Sequence, residues 1–167
     1  TREVAKTDRK AAEYLQDVAS RRPQRPGDVV MLTLPMHHGA GPAALWGALR
    51  LGNCIVLLRR FDPATTLKLV DTHKVTVWTG VPTMYKRIAA LPRQELDKYD
   101  VSSLRVLGVG AAPVPPALKD WIDSYFGAGK LGEGYGATET GMITHLAPGM
   151  HRLKPGSSGL PHKHVDI

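Results

Sequence analysis

In the stretch "LGEGYGATETG", residues 131–141, glycines at 132, 134 and 136 surround Tyr135, and the polar triplet Thr138, Glu139 and Thr140 precedes Gly141. Glycine lets backbone approach a flat ligand closely and permits positive φ, while a phenol ring offers a stacking face. Thr138 can donate a hydrogen bond to an anion. Glu139 beside it supplies the hard oxygen that Mg²⁺ prefers when it also holds phosphate. These residue types suit a purine, its phosphates and a divalent cation. On chemistry alone, a glycine-rich turn ending in an exposed, capping Thr-Glu accounts for them as well.

Two more small-and-polar turns, "LPMHHGAG" (34–41) and "GVGAAPVPP" (108–116), follow strand candidates. In a doubly wound sheet, ligands bind beyond the carboxyl ends of the strands, so all three segments are expected to face one crevice. The second turn has Gly108 and Gly110 at the spacing of a dinucleotide fingerprint, but Pro113 replaces the third glycine. A phosphate loop of the G-x-x-x-x-G-K-[ST] type fails at Gly129-Lys130, because Ser124 and Leu131 stand where Gly and Ser/Thr belong. A zinc site on His37 and His38 is not expected, since adjacent side chains should diverge and no Cys/His cluster completes it. His145, His151, His162 and His164 receive no role, and Trp78 is read as core.

The elements that position these turns alternate. Apolar strand candidates lie at 29–33, 54–58, 75–78 and 105–109, continuously apolar as strands covered on both faces would be. Helix candidates lie at 62–73, with Asp62 as cap and Pro63 in the first turn, at 82–91 and at 115–126. The run from Gly39 to Leu58 is too interrupted by Pro42, glycines, Arg50 and Asn53 to span a membrane, and reads as a buried helix, a turn and a buried strand. An opening helix at about 8–20 carries the stripe Ala11, Leu15, Val18 and Ala19, and "RRPQRPGD" connects it onward. Beyond residue 141 the pattern weakens. The expected fold is α/β: a mostly parallel, layered sheet flanked by helices, in a single domain over 1–167.

A chain of 167 residues with 43% hydrophobic and 22% charged content is globular rather than disordered or fibrous. The formal charge of +7 raises a nucleic-acid reading, but no basic segment carries the interleaved aromatics of a stacking surface, so a solvated face is expected. The single cysteine, Cys54, forbids an internal disulfide and reads as a small buried hydrophobe. The first ten residues lack a secretory signal's apolar stretch, and a cytoplasmic protein is expected.

With "YGATET" preceded by "LPMHHGAG" and "GAAPVPPAL" and followed by "KPGSSGLP", the chain resembles the adenylate-forming superfamily of acyl-CoA synthetases, luciferases and peptide-synthetase adenylation domains. The four motifs occur in family order over roughly residues 29–165. The resemblance implies ATP-dependent activation of a carboxylic acid as an acyl-adenylate, then transfer to coenzyme A. By the same resemblance Gly110, Ala111, Ala112 and Pro113 match the turn lying against adenine, and Tyr135 the ring stacked on it. Gly134 and Gly136 match the glycines flanking adenine and acyl group. Thr138 matches the phosphate-binding threonine, Glu139 the magnesium ligand, and His38 the histidine near the reacting carboxylate. Ala40, Ala44, Gly110 and Ala137 match pocket-lining positions.

The family's Ser/Thr/Gly-rich phosphate loop, ribose-binding aspartate, hinge and small C-terminal domain with its lysine have no match, so the chain is expected to be the central part of the large N-terminal domain, inactive alone. "GAGPAALW" has no aspartate to pair with a substrate amine, and the small side chains at the pocket positions favour an apolar acid, of the fatty type. The expected partners are that acid, ATP or AMP, Mg²⁺ and CoA, with no nucleic acid and no transmembrane segment; peripheral membrane contact and oligomeric state stay open. The alternative is a non-catalytic nucleotide-binding, or basic nucleic-acid-binding, α/β module.

Overall fold

The computed structural model describes residues 2–21 and 24–167. After helix α1 (Arg2–Arg21) the chain alternates through β1 (Val29–Leu32), α2 (Ala40–Arg50), β2 (Cys54–Leu57), α3 (Pro63–His73), β3 (Val77–Gly80), α4 (Pro82–Ala89), the short α5 (Arg93–Leu96), β4 (Val106–Gly110) and α6 (Pro116–Phe126). Strands β5 (Leu131–Ala137), β6 (Gly141–Leu146) and β7 (Leu160–Pro161) follow. The sheet order is β2-β1-β3-β4-β5-β6-β7. The first five strands are parallel, and β6 and β7 pair antiparallel. This is the expected mostly parallel α/β sheet. The order reverses between β1 and β3, the kind of switch point where such sheets open a crevice.

Side chains from β1 and β3 alternate between two cores. Val30, Leu32 and Val77 pack with Ala48 under α2. Met31 and Trp78 join Leu67 and Val70 of α3, Ile88 of α4 and Ile122 of α6 on the other face. Trp78 is the core residue expected: fully buried, its indole N–H donates to Thr33 Oγ1 at 3.0 Å. Tyr85 packs on it with centroids 4.6 Å apart and donates to the Gly108 carbonyl at 2.9 Å. These two bonds tie the carboxyl end of β1 and the middle of β4 to one aromatic cluster, while the Asp62 cap receives the Thr65 N–H at 2.9 Å, as expected.

Several readings are corrected. Cys54 is exposed, because β2 is an edge strand, and Leu57 is exposed with it. Helix α2 is not buried all round: Gly41, Ala44 and Ala48 seat on the sheet, whereas Trp46 is 65% exposed. Strand β3 begins two residues later than expected, since the Val75 N–H still closes onto the Val70 carbonyl of α3. Helix α1 docks by Tyr14, Asp17 and Arg21 rather than by the stripe containing Leu15, which is exposed. Part of its connection onward, residues 22–23, lies outside the described residues.

Candidate functional site

The turn after β1 is built by close backbone approach. The His38 N–H donates to the Pro35 carbonyl at 3.2 Å, and the Gly41 N–H to the His38 carbonyl at 3.0 Å. A side chain at Gly41 would run into the Pro35 carbonyl, so only glycine fits this place in the first turn of α2. His38 stands exposed on this turn. Its ring does not diverge from that of His37, as adjacency suggested, but lies 4.4 Å from it between centroids. Among the described residues no three His, Cys, Asp or Glu side chains converge on a metal position.

The stretch 131–141 is strand β5 and a hairpin tip rather than a turn alone. Ala137 pairs with Gly141, leaving Thr138, Glu139 and Thr140 as a three-residue loop. Gly141 has φ of 70°, the left-handed residue such loops require. Thr140 Oγ1 accepts the Ala137 N–H at 3.3 Å and steadies the tip. A register shift between Tyr135 and Gly136 marks an irregularity of the β-bulge kind, a device that re-aims a side chain. Tyr135 emerges 57% exposed, with its ring free for a ligand.

The turn after β4 carries Gly110 at the strand end and Ala111, Ala112 and Pro113 exposed beyond it. A side chain on Gly110 would run into the carbonyl of Gly134, its ladder partner, so glycine is required for β4 and β5 to lie in register. Ala111 adopts φ of 63°, a strained value for a residue with a Cβ and the kind of outlier that gathers at ligand sites.

These three segments stand at the carboxyl ends of β1, β4 and β5, and two of them touch. A Cβ built on Gly39 would lie 3.5 Å from both Cγ2 and Oγ1 of Thr138, so the backbone beside His38 rests against the hairpin tip. Ala40 and Ala137 are exposed at this junction. Ala44 is not brought there; it packs on the Val30, Leu32, Val77 and Ala48 cluster. Glu139 is exposed at the tip. A single carboxylate fits a cation that takes its other oxygens from nucleotide phosphates and water, as Mg²⁺ does, and not a cage built by the protein alone.

Sequence reasoning missed the hairpin, the packing roles of Gly39 and Gly41 in the turn beside it, and Met142, whose Cε would lie 2.5 Å from a Cβ at Gly134. A signal was present. Leu131, Glu133, Tyr135 and Ala137 alternate with glycine, a period of two that poor strand propensity had masked.

The AMP-binding enzyme family model matches residues 5–167. The chain is 38% identical over 138 residues to a long-chain-fatty-acid–CoA ligase of Bacillus subtilis (strain 168), covering 82% of this chain and 24% of the relative. It is 41% identical over 145 residues to 4-coumarate–CoA ligase 1 of Solanum tuberosum, covering 84% and 26%. The chain therefore spans about a quarter of the length of these relatives. Among solved structures, the inhibitor-bound N-terminal domain of FACL13 from Mycobacterium tuberculosis superposes with a TM-score of 0.78 at 25% identity, over 90% of this chain and 38% of that one. O-succinylbenzoate coenzyme A synthetase from Bacillus subtilis, in complex with AMP, gives 0.73 at 27%, over 90% and 30%. With its motifs in order, its sheet matched and its whole described core covered, the chain belongs to the AMP-binding enzyme family, the adenylate-forming enzymes.

Proposed function

We propose that the protein to which this chain belongs activates an apolar carboxylic acid, of the fatty type, with ATP and passes the acyl group to the thiol of coenzyme A. The observation that carries the reading is the contact of Gly39 with Thr138, which sets the His38 turn beside the hairpin tip, next to an exposed Tyr135. The CoA ligases named above support the thiol acceptor.

In this reading the carboxylate attacks the α-phosphorus of ATP, and the bond to pyrophosphate breaks. The thiol then displaces AMP from the acyl carbon. Tyr135 stacks on adenine, and the backbone at Gly110, Ala111, Ala112 and Pro113 closes the other side, with Gly134 and Gly136 leaving room. Thr138 donates to phosphate. His38 donates to the charge that develops on carboxylate and phosphate, a stabilisation that counts because the donor is already in place. Glu139 would hold Mg²⁺, which when bound offsets charge on the phosphates.

Ala40 and Ala137 leave the acid side of the junction open, and no carboxylate follows on α2 to bind an amine, which favours an apolar acid. The relatives include aryl-acid ligases, so fatty and aryl acids are the two classes to separate. The basic surplus then serves solubility and attraction of nucleotide rather than nucleic-acid binding. No described helix is long and apolar enough to cross a membrane. The test is acid-dependent exchange of pyrophosphate into ATP by the full-length protein, with octanoate, palmitate or 4-coumarate, followed by thioester formation with CoA. Exchange with the fatty acids is expected; none with any acid overturns the ligase reading, and exchange with 4-coumarate alone overturns the fatty type.

A further inference from the structure

Beneath the slot assigned to adenine lies a buried ion pair that the chemistry above does not use. Lys119 Nζ of α6 donates to Glu133 Oε2 of β5, and the two side chains keep only 8% and 13% of their surface exposed. Glu133 precedes Tyr135 by two residues on β5, so the two side chains share a face of the strand, about 7 Å apart along it. That face packs on α6, as the contact of Leu131 with the Ile122 and Phe126 cluster shows. Lys119 lies one helical turn beyond Pro115, and its N–H donates to the Pro115 carbonyl at 3.3 Å, where the turn carrying Gly110, Ala111, Ala112 and Pro113 enters the helix. The pair thus joins the two walls of the slot at its floor.

One turn further along α6 a second buried charge anchors the helix elsewhere. Asp123 accepts Arg152 Nε at 3.0 Å and stands 3.3 Å from His151 Nε2, which holds α6 to the turn after β6. Lys119 with Glu133 is the tie to β5. A buried ion pair contributes little stability over an apolar pair of the same volume, because both charges give up water to form it. Removing one partner costs far more, since it strands the other charge. What an ion pair adds to packing is a fixed separation and direction, which two apolar side chains sliding past each other lack.

We propose that Lys119 and Glu133 are positioning residues for the nucleotide: their ion pair sets the spacing between the 110–113 backbone and the Tyr135 ring, and so the fit of a purine between them. This rests on the reading of those two walls as the adenine slot. Neither side chain touches the base. Each acts through the wall it holds, Lys119 through Pro115 and Glu133 through β5.

The test measures AMP binding to the full-length protein by titration calorimetry, in the parent and in two variants of the pair. Lys119→Met/Glu133→Leu puts apolar side chains in place of both charges. It should keep the parent's circular dichroism spectrum and melting temperature, yet bind AMP at least about fivefold more weakly, the low end of what base stacking contributes. Glu133→Asp keeps both charges, shortens the reach by one methylene, and should lose affinity in the same direction. Placed on Tyr135→Ala, either change should cost no further affinity, because the pair acts through the ring; a merely structural pair would affect both backgrounds alike. Parent-like affinity in the folded apolar variant, or equal losses with and without the Tyr135 ring, overturns the proposal. If the apolar variant does not fold, Glu133→Asp decides alone, and parent-like affinity there overturns it. A parent that binds no AMP removes the adenine reading and this proposal with it, whereas a parent that binds AMP no better than its variants removes this proposal only.

Discussion

His162 Nδ1 stands 2.7 Å from Asp17 Oδ2, a pairing across 145 residues of sequence. The same oxygen accepts the Lys163 N–H at 3.2 Å and lies 3.1 Å from Arg21 Nε. One turn earlier on α1, Glu13 Oε2 stands 2.7 Å from His164 Nε2. Two carboxylates on one helix face therefore grip the segment after β7, and the Tyr14 hydroxyl adds a bond to the Met142 carbonyl at 2.9 Å. His162 and His164, which carried no role in the sequence, are structural ties.

This clamp has a defined pH dependence. Burial opposes charge on Asp17, but the His162 bond, the Lys163 N–H and Arg21 outweigh it and leave its pKa below the usual value. Glu13 is lowered by the Arg9 bond and then by His164. A carboxylate lowered in the fold contributes stability that is present above its unfolded value, about 4, and lost as pH falls through the folded value. The contribution of these two carboxylates to docking of α1 should therefore be lost below about pH 4. Thermal unfolding from pH 2 to 6 should show a shallower acid slope for Asp17→Asn than for the parent. Equal slopes would mean that the Asp17 charge is not linked to folding.

Glu139→Gln should fold normally, because the side chain is exposed and its removal strands no partner. In the full-length enzyme it should nonetheless slow adenylation well beyond threefold, since an amide keeps the size and loses the charge that would hold Mg²⁺. Pyrophosphate exchange at saturating magnesium is the measurement. A change within about threefold, roughly 0.6 kcal/mol of barrier, would remove Glu139 from the cation site.

The parallel core was legible because its strands are apolar runs and its helices have caps and periods that physics ties to one conformation: Asp62 caps, Pro63 opens, and Trp78 is buried. The hairpin was not, because glycine supplies neither propensity nor an apolar face. Its strand exists through the ladders on both sides, Gly108 to Gly132 and Tyr135 to Thr144. Exposure failed at Cys54 and Trp46 for a different reason. Apolar residues imply a face that prefers cover, but only the sheet order shows that β2 is an edge. The docking of α1 ran against its apolar stripe, since long-range ion pairs such as His162 with Asp17 leave no periodic trace.

Two glycine substitutions should have opposite signs. At Gly47, within α2, an added Cβ meets nothing nearer than Gln24 at 3.9 Å. Gly47→Ala should raise stability by roughly 0.5–1 kcal/mol, because glycine loses more backbone freedom in a helix. At Gly136 the same atom would run into the Gly141 carbonyl across the hairpin. Gly136→Ala should lower stability by about 1–3 kcal/mol, the usual range for forced overpacking. Urea unfolding of both variants checks the pair. A neutral Gly136→Ala would mean that the hairpin is not held at this spacing.

Tyr135 separates stacking from other uses of an aromatic residue. The ring is 57% exposed at the end of β5, its hydroxyl has no hydrogen bond among the described residues, and the glycines beside it leave its face open. If a purine lies there, Tyr135→Phe should be tolerated and Tyr135→Ala should not, because stacking uses the face of the ring. Base stacking on an aromatic contributes about 1–3 kcal/mol, so alanine should weaken binding of a non-hydrolysable acyl-adenylate analogue by roughly 5-fold to 150-fold. Phenylalanine should cost much less. Titration calorimetry on the full-length enzyme makes the comparison, with circular dichroism to show that both variants fold. Equal affinity for alanine and tyrosine would show that no base stacks on the ring. An equal loss for phenylalanine and alanine would instead place the hydroxyl, and not the face, in contact with the ligand.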